Sequence, residues 1–275
     1  MKHDTIEKYS AGHFDLTQSA LLTTWDCLAA YRDDLVLVGG LAVRYLTKRA
    51  PEGLPDAVTL DVDFGISIAA TCDQYGSIRQ TLSAHGFQWD SGRFVRTFKG
   101  VPLYIDLLTD AAESKSRSAV LDDGLSVSVV PGIERALAKY RSIEVVGETL
   151  LGAPLVLPVK IADVGPMLVL KLNAFGGPTG RKAPKDAHDI AYLGLNYLDG
   201  LSHAVAAFTE EKAAKNRGME SALQSLQKYF EHEDALGPVY CAAFRLNNQH
   251  QTAEKADESL RIRQECVSLA RELLG

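Results

Sequence analysis

The sequence is poor in features that would set it apart from ordinary globular proteins. Its four cysteines, Cys27, Cys72, Cys241 and Cys266, are far apart and form no C-x-x-C pair. Neither a zinc site nor a disulfide framework is indicated, and reduced, mostly buried thiols are expected. No apolar run approaches the ~20 residues that a membrane helix needs. The opening M-K-H-D-T-I-E-K-Y is charged and polar, unlike a signal peptide. A cytoplasmic protein with no membrane partner is the expectation. An excess of positive charge is also missing: the net charge of −6 argues against broad, non-specific coating of nucleic acid, while leaving room for a local basic site. There is no internal repeat and no low-complexity tract. The aromatic residues are scattered, so no platform for stacking single-stranded bases is visible. What is present is ordinary: 275 residues, 46% hydrophobic and 23% charged, enough for one large domain or two modest ones.

The informative stretch runs from Leu35 to Phe64. Leu35–Val38 is too short for a helix and β-branched enough for a buried strand. Gly39-Gly40 then allows a sharp turn into a helix over Leu41–Lys48 whose N-terminal amides are open. Ala50–Pro55 reads as a loop by its prolines and glycine. Val58–Ile68 reads as a strand, on which Asp61 and Asp63 share one face while Leu60, Val62 and Phe64 point to the core. Ahead of this stretch, residues 1–34 read as a helical lead-in, with Leu16, Ala20, Leu21, Trp25, Leu28 and Ala29 at helical spacing.

After it, Asp73–His85 is expected as a helix stopped by Gly86. Phe87–Trp89 and Arg93–Phe98 are strand-like runs joined by the turn Asp90-Ser91-Gly92. Lys99-Gly100 turns the chain into a third strand, Val101–Leu108, with Asp106 among apolar neighbours. Leu121–Val130 alternates as one strand, Gly132–Tyr140 follows as a helix, and Ile143–Ile161 holds short β-like pieces. From Val164 the pattern becomes helical: Val164–Ala174 carries Lys171, Phe175–Gly180 is a glycine-rich break, and Lys185–Leu198 is a second helix. The predicted fold class is α/β (α+β): residues 1–160 form a domain with a small mixed sheet, and residues 161–275 a helical C-terminal lobe.

Asp61, Asp63 and Asp106 on neighbouring strands, with Gly39-Gly40 beside them, suit nucleotidyl transfer. Carboxylates held side by side repel unless a cation lies between them, and phosphate-bound Mg²⁺ typically takes only one or two protein carboxylates. Asp61 and Asp63 would bind the metals that hold a triphosphate. Asp106 would complete a second metal site and help deprotonate the acceptor hydroxyl. The Gly-Gly turn and helix N-terminus would hold phosphate oxygens. The bland alternative is a half-solvated strand with exposed aspartates, but an ionised Asp106 among apolar neighbours is costly unless paired or metal-bound. Lys171, Arg181, Lys182 and Lys185 form the dense basic cluster of an acidic chain, and a triphosphate needs cations beyond its metals. Lys185 and Asp189 lie i,i+4 on a helix and could simply pair with each other. Arg44 is either a phosphate or structural partner of the D-x-D strand or a plain surface residue. His188 reads as a surface or supporting residue.

The pattern L-V-G-G-L-A, T-L-D-V-D-F and Y-I-D-L resembles the polymerase-β-like nucleotidyltransferase superfamily. With V-L-K-L-N-A-F and R-K-A-P-K-D-A-H-D-I-A-Y-L, it looks most similar to the AbiEii/MenT-type toxins of type IV toxin–antitoxin systems. The similarity spans roughly residues 35–195. It implies an enzyme using Mg²⁺ or Mn²⁺ and an NTP, with a tRNA 3′ end or a protein as acceptor and a cognate antitoxin as partner. It further implies that Lys171 contacts the nucleotide phosphates and that Asp186 or Asp189 supports the site, beside Gly39, Gly40 and Lys185. The turn is Gly-Gly rather than Gly-Ser, so no serine hydroxyl is offered to phosphate there. Transfer to a small molecule such as an antibiotic hydroxyl, or a non-catalytic binding role, are the alternatives.

Overall fold

A computed structural model describes residues 3–9, 11–49, 59–67, 77–110, 117–121 and 124–275. The loop expected at Ala50–Pro55, the outer ends of the D-x-D strand at Val58 and Ile68, the start of the helix expected from Asp73, and Cys72 lie outside these residues. The chain divides into two compact units. One comprises Ala11–Tyr45 and Thr59–Asp163; the other comprises Met1–Ser10, Leu46–Val58 and Val164–Gly275. Among the described residues there are nine strands in one mixed sheet and ten α-helices, a mixed α/β architecture.

The first unit is built on β1 (Leu35–Val38), β2 (Asp61–Ile66) and β5 (Val101–Thr109). β1 runs antiparallel to β2, which runs parallel to β5. Outside β5 lie β4 (Arg93–Phe98) and β3 (Gln88–Asp90), both joined by antiparallel pairing. On the other side of β1 lie β9 (Pro154–Ala162), parallel to it, and β8 (Tyr140–Glu148), antiparallel to β9. The remaining strands, β6 (Ser118–Val120) and β7 (Ser126–Val129), pair with each other, and β7 pairs with the end of β5.

All four residues of β1 are buried because both sheet faces are covered there. α1 (Ala11–Cys27) packs across one face, where its Trp25 stacks on Phe64 at a centroid distance of 5.9 Å. On the other face the short α4 (Ile133–Ala138) lies over β1 and β2, close enough for Ile133 to touch the flat backbone at Gly65. α2 (Gly39–Leu46) follows β1, and α3 (Ile78–Ala84) precedes β3 with Ser77 as its N-cap, the hydroxyl accepting from the Gln80 amide at 3.2 Å.

Several elements differ from their sequence-based outline; the helix expected over Gly132–Tyr140, for one, is Ile133–Ala138, and Tyr140 already belongs to β8. α2 starts at Gly39 rather than Leu41, so the glycine pair is itself the first turn of the helix. Leu121–Val130 is the far half of a hairpin: the Leu121 amide donates to Leu125 O at 2.9 Å, closing a turn between β6 and β7. Ile143–Ile161 lies within one continuous nine-pair ladder, Tyr140–Glu148 of β8 against Pro154–Ala162 of β9, where separate short pieces were expected. Exposed Val146, Leu151 and Val156 blur its inside–outside alternation.

The second unit is helical in its C-terminal part, with α5 (Val164–Gly176), α6 (Pro184–Leu195), α7 (Leu201–Ala213), α8 (Met219–Tyr229), α9 (Leu236–Arg245) and α10 (Ala256–Leu274). α5 is apolar almost all round and is its buried axis, with every residue from Val164 to Leu172 inside. Small residues let the neighbours close on it: a Cβ at Gly165 would overlap the Ala207 carbonyl of α7, and one at Gly176 would overlap Ser225 Oγ of α8. The glycine-rich break after α5 is knitted back onto that helix, with the Arg181 amide donating to Ala174 O at 2.9 Å and the Lys182 amide to Phe175 O at 3.0 Å.

Candidate functional site

Strand register assembles the acidic cluster. β2 and β5 align Asp61 with Tyr104, Val62 with Ile105 and Asp63 with Asp106. Directly opposed residues point to the same side of a sheet, so Asp61, Asp63, Tyr104 and Asp106 share one face. Val62, Phe64, Leu103, Ile105 and Leu107 take the other face and are buried, which fixes the carboxylates outward. All three are half-buried. On the neighbouring strand Val38 is opposite Asp63, so the chain leaving β1 turns at Gly39 beside that carboxylate. Gly39 has φ +74°, and a Cβ there would overlap the carboxylate of Asp63. Glycine is thus required twice over, by the left-handed backbone and by close approach.

A residue that the sequence reading passed over completes the cluster. Arg93, the first residue of β4, donates from Nε to Asp106 Oδ1 at 2.9 Å and from Nη2 to Asp106 Oδ2 at 2.6 Å. The same Nη2 donates to Asp61 Oδ1 at 3.2 Å. Its guanidinium lies 4.1 Å from the ring centroid of Tyr104, which supports its plane from below. The carboxyl of Asp106 titrates above the ordinary aspartate range; burial is the largest cause, opposed by Arg93 and reinforced by the charge of Asp61. Burial alone would lower the guanidinium's pKa, but Asp106 and then Asp61 outweigh it and raise the value.

The sequence did contain the signal for Arg93. Lys99 (φ 49°) and Gly100 (φ 78°) are both left-handed, as the two-residue hairpin turn requires. That turn pairs Phe98 with Val101 and, four steps on, Phe94 with Ile105. One step further sets Arg93 against Asp106.

No family model matches the chain, and no curated protein matches it.

Among the described residues no three His, Cys, Asp or Glu side chains converge as a ready cage for a metal ion. The donor chemistry of the cluster nonetheless fits a hard divalent cation. Asp61 and Asp63 offer carboxylate oxygens from one strand face, and one or two such groups are the usual protein share for Mg²⁺ on a phosphate. Asp106 fits less directly, since both of its oxygens accept from Arg93.

The other predicted site residues gather in the second unit. Lys171 of α5 and Lys185 of α6 both donate to Asp189 Oδ2, at 2.6 and 2.7 Å. The i,i+4 pair foreseen between Lys185 and Asp189 does form, but in the interior: Lys171, Lys185 and Asp189 are 5%, 2% and 0% exposed. Asp186, also fully buried, accepts from Arg181 Nη2 at 3.0 Å. Much of the basic cluster is therefore engaged with carboxylates. His188 is fully buried rather than at the surface; its ring packs between Tyr192 and Phe244, and Arg245 Nε donates to its Nδ1 at 3.2 Å. Cys241 and Cys266, distant in sequence, meet through a thiol–thiol hydrogen bond beside that imidazole. Arg44 of α2 lies over the ring of Phe14, 4.9 Å from its centroid, and is half-buried.

Proposed function

We propose that this protein is a nucleotidyltransferase of the polymerase-β-like kind, moving a nucleotidyl group from an NTP to a hydroxyl acceptor. The observation that carries the proposal is the register of β2 on β5, which puts Asp61, Asp63 and Asp106 on one face of the sheet beside the turn at Gly39. Arg93 offsets only part of the repulsion among three carboxylates held on one patch, which favours a further cation there. Magnesium, when bound, would neutralise triphosphate charge and polarise the phosphorus under attack. Asp61 and Asp63 are the residues that would hold it. Asp106, on the same sheet face, would accept the proton of the acceptor hydroxyl. Lys171 and Lys185 are buried on Asp189, so the observations on that cluster support a structural role for them more than the phosphate contact that the resemblance implies.

A toxin-like enzyme acting on tRNA or protein, with an antitoxin partner, is the form of the proposal that the sequence resemblance suggests. The test is incubation of the protein with each labelled NTP, Mg²⁺, and either total RNA or cell lysate. Label transferred by the wild type and lost in Asp61→Asn and Asp63→Asn variants of unchanged fold supports the assignment. Transfer retained in both variants refutes it. The same NTPs should stabilise the wild type by about 2.7 kcal/mol at 100 times the dissociation constant, and only with Mg²⁺ present.

A further inference from the structure

We infer that Arg93 is an internal competitor for the divalent cation: a gate that must leave Asp61 and Asp106 before a metal ion can use their oxygens. The inference rests on the nucleotidyl-transfer reading only in requiring a divalent cation at these carboxylates.

The geometry of the contacts carries it. Arg93 takes both oxygens of Asp106 and one oxygen of Asp61 within 2.6–3.2 Å. A guanidinium N–H and a divalent cation draw on the same carboxylate lone pairs, and Mg²⁺ needs near-octahedral oxygens at about 2.0–2.1 Å. A carboxylate held bidentately by a guanidinium has its two oxygens turned toward the arginine and fewer lone pairs to offer an ion. Binding of the ion at Asp106 and bidentate pairing with Arg93 therefore compete for the same two oxygens.

The fold gives the arginine somewhere to go. Arg93 is the first residue of β4, directly after the two-residue turn at Ser91 (φ 48°) and Gly92 (φ 98°), so its stem springs from a hairpin end. Directly opposite it on β3 is exposed Asp90, whose side chain accepts from Ser91 Oγ at 2.8 Å. Cross-strand partners share a face, so the guanidinium can pass from Asp106 and Asp61 to Asp90 by side-chain rotation, with Tyr104 beneath its starting position. Inward, Arg93 relieves carboxylate repulsion and holds the cluster together. Outward, it yields the oxygens to the ion. The exchange replaces one positive charge by two, so the arriving ion prevails at sufficient concentration, and Arg93 sets that threshold.

The experiment is titration of the full chain with Mn²⁺ alone, without nucleotide, read by calorimetry or by electron paramagnetic resonance of the free ion. The wild type, Arg93→Ala, Arg93→Lys and Asp63→Asn are compared, each checked by circular dichroism. Arg93→Ala should bind Mn²⁺ at least about ten-fold more tightly than the wild type, with Arg93→Lys between them, because a lysine keeps the charge but loses the fork. Equal or weaker binding by Arg93→Ala, with binding abolished in Asp63→Asn, overturns the gate and leaves the metal assignment standing. Absence of Mn²⁺ binding in every form overturns both. If Arg93→Ala does not fold, the Nε–H resonance of Arg93 in the wild type gives the answer. It should shift and exchange faster with solvent as Mg²⁺ is added, whereas a fixed resonance while the Asp63 amide responds overturns the gate.

Discussion

The sharpest constraints act on single residues. Gly39 is the clearest: its φ of +74° and the Asp63 carboxylate at the place of a Cβ leave no room for another side chain. Forcing a non-glycine residue into left-handed backbone costs about 1–2 kcal/mol before any clash. Gly39→Ala should therefore lose at least about 2 kcal/mol in urea unfolding, and it should also lose nucleotide transfer because Asp63 must move. Stability within about 0.5 kcal/mol of the wild type would show that neither constraint holds. His188 offers a pH test. Complete burial lowers its imidazole pKa, the charge of Arg245 lowers it further, and the hydrogen bond with Cys241 opposes them. The native state then refuses a proton that the unfolded chain accepts below about pH 6.5, so the unfolded state binds more protons there. Stability should be steady at neutral pH and fall by up to about 1.4 kcal/mol per pH unit as the pH drops through and below 6.5. Thermal melts between pH 7.5 and 5.5 should show this loss, and His188→Gln should flatten it.

Between elements, the pairing of α5 with α6 rests on an unequal ion cluster, two ammonium groups on one oxygen of Asp189. Removing the anion strands two buried cations, whereas removing one cation leaves a matched pair. Asp189→Asn should cost about 3–5 kcal/mol, the range for breaking a buried pair. Lys185→Met should cost clearly less, and equal losses on chemical denaturation would contradict this account. The sequence showed α5 and α6 well, because an apolar run and a Pro-started helix declare themselves locally. It showed β1, β2 and β5 equally well, and with them the shared face of Asp61 and Asp63. Burial of the lysine cluster was not legible, since i,i+4 spacing looks the same inside a protein as on its surface. The β8–β9 ladder was obscured by apolar side chains on its outer positions. The β6–β7 turn had its sign in Gly124, left-handed at φ 75°, which the alternating pattern around it masked. Arg93 was missed because cross-strand partners must be counted through a turn, a step that linear motif reading does not take.

For the molecule as a whole, the net charge of −6 and the fate of the basic cluster bear on the acceptor. Lys171 and Lys185 are spent on Asp189 in the interior. Arg181, with a side chain 54% exposed, and Lys182, near the ring of Tyr229, are the members that reach toward water. An RNA acceptor using this face would thus gain about two phosphate contacts from the cluster, each contributing roughly 0.7–0.9 to the slope of log affinity against log salt. Arg181→Gln, which keeps a donor for Asp186, combined with Lys182→Gln should flatten the salt dependence of RNA acceptor binding by about 1.4–1.8 between 50 and 200 mM KCl. A small-molecule acceptor lacks a phosphate backbone, and its apparent affinity should change little under the same substitutions. A slope unaltered by the double substitution, with RNA still labelled, would move the acceptor contacts to other cations, and Arg79, Arg96 and Lys99 beside the aromatic rings of Phe87, Trp89 and Phe98 are the next to exchange.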